Sequence, residues 1–186
     1  MLITTQCSSC ATPGSRLCAR CRAGVRIAPP GVPAALVHDG PVRSAVLGLK
    51  FRNARRAARE LAEYMMQRVG PTPEVDIVTW APTSARRVAD RGYDPAELLA
   101  RELARLLGRP CRRLLLRERR SMPQAGRDRR SRLLGPRFRA RPLRDAPRVL
   151  LVDDVVTTGA TLREGAAALV RAGATAVVCL AASAAP

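Results

Sequence analysis

The sequence predicts an α/β fold, a parallel sheet flanked by helices, with a small four-cysteine module in front of it. Three observations predict this. Apolar runs of strand length, Val75–Trp80, Val149–Val152 and Thr175–Ala182, alternate with segments whose apolar residues recur at helical spacing. Val149–Val152 is apolar at consecutive rather than alternate positions, which marks a parallel strand covered on both faces. Two Cys-x2-Cys pairs, Cys7/Cys10 and Cys18/Cys21, stand within the first 21 residues.

The cysteine pairs come first in the chain. Four thiolates arranged as two knuckles suit tetrahedral Zn²⁺. A segment this short and polar cannot fold on a core of its own, so a metal staple makes physical sense. A redox dithiol needs one pair and leaves the second unexplained. The zinc is structural, because protein ligands fill all four positions. Cys111 and Cys179 fall in predicted strands and read as small core residues. The proline-rich stretch Ala28–Pro33 reads as a linker, which divides the chain into a module at 1–27, a linker at 28–34 and a main domain at 35–186.

A short strand at Ala35–Val37 opens the main domain, with His38, the only histidine, at its end. Without a visible partner His38 reads as a surface or packing residue. Pro41 starts a helix through Phe51 with Val42, Ala45, Val46 and Leu49 as its stripe. A second helix, Ala54–Arg68, buries Ala58, Leu61, Ala62 and Met65. The basic faces of these helices, with Lys50, Arg52, Arg55, Arg56 and Arg59, either border a phosphate site or form a solvated surface. After strand Val75–Trp80, the loop Ala81–Arg87 offers Thr83, Ser84, Arg86 and Arg87 at a strand's carboxyl end, which suits pyrophosphate. Asp94 caps a helix with Pro95 at its first position, running to Leu107, with Leu98, Leu99, Leu103, Leu106 and Leu107 facing the core. Arg112–Leu116 reads as a strand. Arg117–Asp145 shows little periodicity and reads as a long mobile loop that could hold a short hairpin; loops of that length are usually lids or binding loops.

Val149–Thr161 carries the most chemistry. Asp153 and Asp154 follow the strand, and then Thr157-Thr158-Gly159-Ala160-Thr161 leads into a helix over Leu162–Ala172. A helix N-terminus approached through hydroxylated residues and a glycine is a phosphate cradle, because free N–H groups and the helix dipole face the anion. The adjacent carboxylates can bind vicinal hydroxyls, so the string describes a pocket for a sugar phosphate. A lone Thr-Gly-x-Thr would be read as a strand end and a helix cap. Here acid pair, hydroxyl cluster and glycine stand in register with strand and helix.

The stretch resembles the phosphoribosyl-pyrophosphate (PRPP) signature of type I phosphoribosyltransferases. That resemblance implies that Asp153 and Asp154 hold the ribose hydroxyls and that Val155, Val156, Thr157, Thr158, Gly159, Ala160 and Thr161 form the PRPP loop around the 5′-phosphate. With the cysteine knuckle, Gly40–Arg52, Arg91–Ala100 and the segment starting Pro123-Gln124, the chain is similar to the ComF family. This family of phosphoribosyltransferase-like proteins is linked in some bacteria to DNA uptake in competence. The implied fold is a type I phosphoribosyltransferase-like sheet with a zinc-ribbon-like module, and the implied cofactors are structural Zn²⁺ and Mg²⁺ carried with PRPP. Arg127, Arg129, Arg130 and Arg132 in the flexible loop join Arg86 and Arg87 as candidates for the leaving group. Trp80-Ala81-Pro82 stands where the family commonly reads Pro-Val-Pro, and Arg91-Gly92-Tyr93-Asp94-Pro95 where it reads Arg-Gly-Phe-Asn-Gln.

Two functions remain open from the sequence. One is a Mg²⁺/PRPP-dependent transferase with an unidentified acceptor. The other is a non-catalytic protein that keeps the fold and binds single-stranded DNA or a DNA-uptake motor protein. A formal charge of +18 supports a polyanionic partner, and it is concentrated at 109–148, where 15 arginines face Glu118, Asp128 and Asp145. Aromatic residues are only 3% of the chain, which argues against an extensive base-stacking platform. No apolar run reaches membrane-spanning length and no signal peptide opens the chain, so a cytoplasmic protein without membrane insertion is expected.

Overall fold

The computed structural model describes residues 6–14, 16–70, 74–118 and 136–186. Its centre is a four-stranded parallel sheet of β1 (Ala34–Val37), β2 (Ile77–Trp80), β5 (Arg148–Val156) and β6 (Ala176–Ala184), in the spatial order β1-β6-β5-β2. A separate antiparallel pair, β3 (Leu115–Arg117) and β4 (Phe138–Ala140), lies outside it. The helices are α1 (Ala19–Ala23), α2 (Gly40–Phe51), α3 (Ala57–Val69), α4 (Ala85–Arg91), α5 (Pro95–Leu107) and α6 (Ala160–Arg171).

The sheet is covered on both faces, as its apolar strands require. Alternation along β5 divides the core. Leu150 and Val152 pack with α2, α3 and α5 on one face, while Val149 and Leu151 pack with α6 and Phe138 on the other. α5 begins as its sequence demands, with Asp94 Oδ1 accepting the Ala96 N–H at 3.1 Å, and ends at Gly108 in the left-handed region, φ 62°. Its buried face consists of Ala96, Leu99, Ala100, Leu103 and Ala104. Leu98, Leu106 and Leu107 are only partly buried at its flank, because the stripe of small alanines lets α5 approach the sheet along a line rotated from the leucines.

Several boundaries differ from expectation, each for a physical reason. β5 runs four residues past Val152, because β6 extends alongside it and pairs Asp153 with Ala181, Val155 with Ser183 and Val156 with Ala184. The acid pair is therefore inside the ladder rather than beyond the strand. The second helix starts at Ala57 rather than Ala54, since the chain first closes tighter i→i+3 turns, with the Ala57 N–H on the Ala54 carbonyl at 2.9 Å and the Ala58 N–H on the Arg55 carbonyl at 3.1 Å. The end of the loop expected at Ala81–Arg87 instead opens a short helix, Ala85–Arg91, capped by the Ser84 hydroxyl, which accepts the Arg87 N–H at 3.4 Å. The strand expected at Arg112–Leu116 is divided. Cys111 makes an isolated parallel bridge to Val78, and the hydrogen-bonded strand begins only at Leu115, paired to β4 as a hairpin.

The four-cysteine knuckle rests on α3. Glu60 is buried there, accepts a hydrogen bond from the Ser8 hydroxyl, and has its carboxyl pKa raised by that burial. Arg16 pairs with Glu63 at 3.8 Å. Gly48 on α2 leaves room for the α2–α3 connection, because a Cβ there would lie 3.3 Å from both Ala54 Cβ and Arg52 Nη2. None of the helices is long and apolar enough to cross a membrane among the described residues.

Candidate functional site

The connections locate a site before any side chain is considered. From β2 the chain leaves through α4 and α5 to the Cys111 bridge on the far side of β2. From β5 it leaves through α6 to β6 on the opposite side. Such a reversal opens a crevice beyond the carboxyl ends of the two strands, where open α/β sheets bind ligands. The Ala81 N–H still reaches the Val152 carbonyl at 2.9 Å, so the strands separate just past that point.

Two expected groups meet at the crevice. Asp153 and Asp154 stand on β5, both partly buried, with Asp153 Oδ1 accepting the Asp154 N–H at 2.8 Å. Burial and the neighbouring Asp154 charge push the Asp153 carboxyl up to about 8. Directly after them, residues 157–161 turn into α6, and residues 153 and 155–162 line a cavity of about 30 Å³. Gly159 makes the turn at φ 72°, and Thr158 Oγ1 accepts the Ala160 N–H at 3.4 Å. The first turn of this 12-residue helix, Ala160–Leu162, lines the cavity, and a helix N-terminus is where unpaired N–H groups favour an anion. Val155 and Val156 differ from the rest of the loop: their backbones pair with β6, and Val156 is buried against α6. They anchor the loop rather than line it with free donors.

The loop after β2 is held by Asp94. Its Oδ2 accepts the Thr83 N–H at 2.8 Å while its Oδ1 caps α5, and burial raises its pKa. Thr83 and Ser84 thus lie at the crevice. Arg86 and Arg87 lie on the exposed first turn of α4, and no hydrogen bond or ion pair joins them to the acid pair among the described residues. Arg127, Arg129, Arg130 and Arg132 lie outside the described residues.

Four further side chains gather at the site, of which the sequence offered only Lys50 as a candidate, one of several basic residues that either border a phosphate site or form a solvated surface. Lys50, at the end of α2, places Nζ 2.8 Å from Asp154 Oδ1. Arg163 donates from Nη1 to the Thr158 carbonyl at 2.6 Å and clasps the loop. His38, expected to lack a partner, has Nδ1 2.9 Å from the hydroxyl of the fully buried Ser183, which itself reaches the Asp154 carbonyl at 3.5 Å. Burial, with Lys50 and Arg43 nearby, lowers the His38 pKa. Tyr93 donates to the Leu49 carbonyl at 2.5 Å and carries the Arg55 guanidinium 4.5 Å above its ring, which fixes the end of α2 over the crevice. The signals available were that Lys50 is the only lysine and His38 the only histidine.

The cysteines converge as their spacing predicts. The sulfurs of Cys7, Cys10, Cys18 and Cys21 all lie within 4.8 Å of one another, with Cys10 and Cys18 3.7 Å apart. Zinc–sulfur bonds of about 2.3 Å in a tetrahedron put sulfurs roughly 3.8 Å apart, so the set fits such a metal. Hydrogen bonds from Thr12 bring the Cys10 thiol down to about 6, while burial and the neighbouring thiols push Cys21 up to about 12.

Residues 88–186 match the phosphoribosyl transferase domain model, covering α5, the acid pair, the loop and the last strand. The chain belongs to the phosphoribosyl transferase domain family. Within this family it is similar to the DNA utilization protein YhgH of Salmonella typhi, at 30% identity across 92% of this chain and 80% of that one. That relative agrees with the ComF-type resemblance. Among solved structures it is similar to the allosteric regulatory enzyme of purine biosynthesis, with 20% identity, 73% of this chain covered and a TM-score of 0.47, although the chain spans only 30% of that enzyme. It is also similar to adenine phosphoribosyl transferase from Trypanosoma brucei, with 18% identity, 82% and 73% of the two chains covered and a TM-score of 0.45. Orotate phosphoribosyltransferase from Aeropyrum pernix gives 17%, 87% and 85%, and 0.41. The family assignment rests on the domain match and the Salmonella relative, not on these scores.

Proposed function

We propose that the β5–α6 junction is a phosphoribosyl pocket for PRPP or a related ribose 5-phosphate. The observation that carries this reading is the placement of the acid pair and the Gly159 turn on one strand–helix junction at the sheet's switch point. Asp153 and Asp154 accept hydrogen bonds from the ribose 2′- and 3′-hydroxyls. Thr157, Thr158, Gly159, Ala160 and Thr161 wrap the 5′-phosphate with backbone N–H groups. In a transfer, the anomeric C–O bond breaks with its electron pair leaving on pyrophosphate, while the acceptor's lone pair forms the new bond at C1. A Mg²⁺ ion arriving on the pyrophosphate supplies charge neutralisation there. Thr83, Ser84, Arg86 and Arg87 on the β2 side are the proposed contacts of the leaving group, with the 127–132 arginines as further candidates.

The cysteine module at 1–27 holds a structural Zn²⁺ in this reading, and the chain acts in the cytoplasm in nucleotide metabolism or DNA uptake. A second reading has a specific observation behind it. A groove of about 1020 Å³ between the knuckle and the α2–α3 connection is lined by Arg52, Arg55 and Arg56. Together with a relative named for DNA utilization, it favours a non-catalytic protein that binds single-stranded DNA or a DNA-uptake motor protein. PRPP-dependent pyrophosphate release, assayed across purine, pyrimidine and nicotinate acceptors, separates the two. Turnover with one acceptor supports the transferase. No turnover, with salt-sensitive DNA binding that weakens on Arg52→Ala/Arg55→Ala/Arg56→Ala, supports the binding protein.

A further inference from the structure

We propose that Lys50 is an exchanging cation of this pocket: it neutralises Asp154 while the pocket is empty, and it turns onto the ligand's anionic anomeric substituent when ribose hydroxyls take its place on the carboxylate. The proposal rests on the phosphoribosyl reading of the pocket and names the residue that recognises the ligand's third group.

The first support is chemical. Of 33 basic residues, Lys50 alone is lysine, and its neighbours at 43, 52, 55 and 56 are all arginine. A guanidinium beside Asp154 would fork onto the carboxylate through two parallel bonds and stay there. An ammonium is a compact point charge on a flexible stem with three rotatable donors, so it can change partner without changing its backbone. The pocket is the place in this chain where that difference is used.

The second support is geometric. Among the described residues Lys50 makes a single ion pair, 2.8 Å to Oδ1, and the two side chains are 21% and 16% exposed. The pair is dry enough to be strong in the empty site, yet open on one side to a ligand. The backbone behind it is held on several sides. The Tyr93 hydroxyl donates to the Leu49 carbonyl, Arg91 stacks 4.7 Å above Phe51, and Arg52 donates to the Ser44 carbonyl at 2.8 Å. The root of the side chain is fixed and only its tip is free. Lys50 also stands apart from the 30 Å³ phosphate cavity, whose walls are residues 153 and 155–162. A ligand anchored by its 5′-phosphate there and by its diol on the carboxylates leaves its anomeric substituent to be met from another side. Lys50 is the cation already in contact with the diol-binding acid.

Because Lys50 carries the only side-chain amine, its surroundings can be read by acetylation of the intact chain at fixed pH, with mass spectrometry of the peptide containing residue 50. Ribose 5-phosphate offers the diol and the 5′-phosphate without an anion at C1. PRPP with Mg²⁺ offers all three. Saturating ribose 5-phosphate is expected to speed Lys50 acetylation by about tenfold, the scale of one lost charge-assisted contact, and PRPP to slow it below the ligand-free rate. Equal rates in all three states, or equal protection by both ligands, overturn the proposal if calorimetry on the same samples shows both ligands bound, and leave the pocket reading intact. Binding of neither ligand overturns both. Lys50→Arg supplies an independent arm: PRPP affinity is expected to fall about tenfold relative to ribose 5-phosphate affinity, since the fork stays on Asp154. An equal change in both affinities marks a purely structural ion pair and refutes the exchange.

Discussion

Gly159→Ala tests how the phosphate loop is built. Gly159 has φ 72°, and forcing an L-residue into that region costs about 1–2 kcal/mol. The added Cβ would also lie 3.1 Å from Arg163 Nη1, which is held 2.6 Å from the Thr158 carbonyl. Moving that exposed guanidinium removes a hydrogen bond worth about 0.5–1 kcal/mol net. The two effects together amount to about 1.5–3 kcal/mol, or roughly 3–12 °C in melting temperature for a chain of this size. Thermal unfolding followed by circular dichroism is the assay, with Arg163→Ala as the control that removes the clasp alone. Arg163→Ala should lose no more than about 1 kcal/mol. A Gly159→Ala protein as stable as the wild type would refute the backbone reasoning. Equal losses in the two variants would show that the clasp, not the left-handed turn, carries the cost.

Two further outcomes are expected. Zinc analysis should find one metal ion per chain, and Cys10→Ser or a strong chelator should release it and lower the melting temperature, since among the described residues the knuckle's own buried apolar residues are only Cys7, Leu17 and Cys21; full stability after complete metal removal would contradict a zinc staple. The pH dependence follows from Asp153, whose carboxyl stands at about 8 in the folded chain against an ordinary 3.8. The folded state therefore holds an extra proton between those values, and stability relative to Asp153→Asn should fall as pH rises from about 4 to about 8, by at most about 6 kcal/mol. A difference that stays flat across that window would show that the carboxyl titrates normally.

Much of the fold could be read from local patterns because local chemistry determines it. The run from Val149, the Asp94-Pro95 start of α5 and the paired cysteines each state their structure within a few residues. What escaped prediction depends on partners distant in sequence. β5 continues through the acid pair because β6, some 28 residues later, runs beside it. Lys50 meets Asp154 across 104 positions, and His38 meets Ser183 across 145. No spacing rule reaches that far, although the rarity of lysine and histidine in this chain was a usable hint. The leucine stripe of α5 faces the core as expected, Leu99 and Leu103 buried and Leu98, Leu106 and Leu107 partly buried against it, but the alanines that share the buried face were not foreseen. The alanines at 96, 100 and 104 set the line of closest approach, and helix periodicity alone does not rank small residues above large ones.

Calorimetric titration with PRPP and Mg²⁺, for the wild type and for Asp153→Ala/Asp154→Ala, bears most directly on the phosphoribosyl pocket. Saturable binding by the wild type, with affinity lowered at least about a hundredfold by loss of both carboxylates, is the predicted result, each lost contact being worth about 1.4 kcal/mol or more. Circular dichroism should show the variant folded, because the pair is held in the sheet by its backbone. Absence of PRPP binding by the zinc-loaded wild type, or unchanged affinity in the folded variant, would contradict the account.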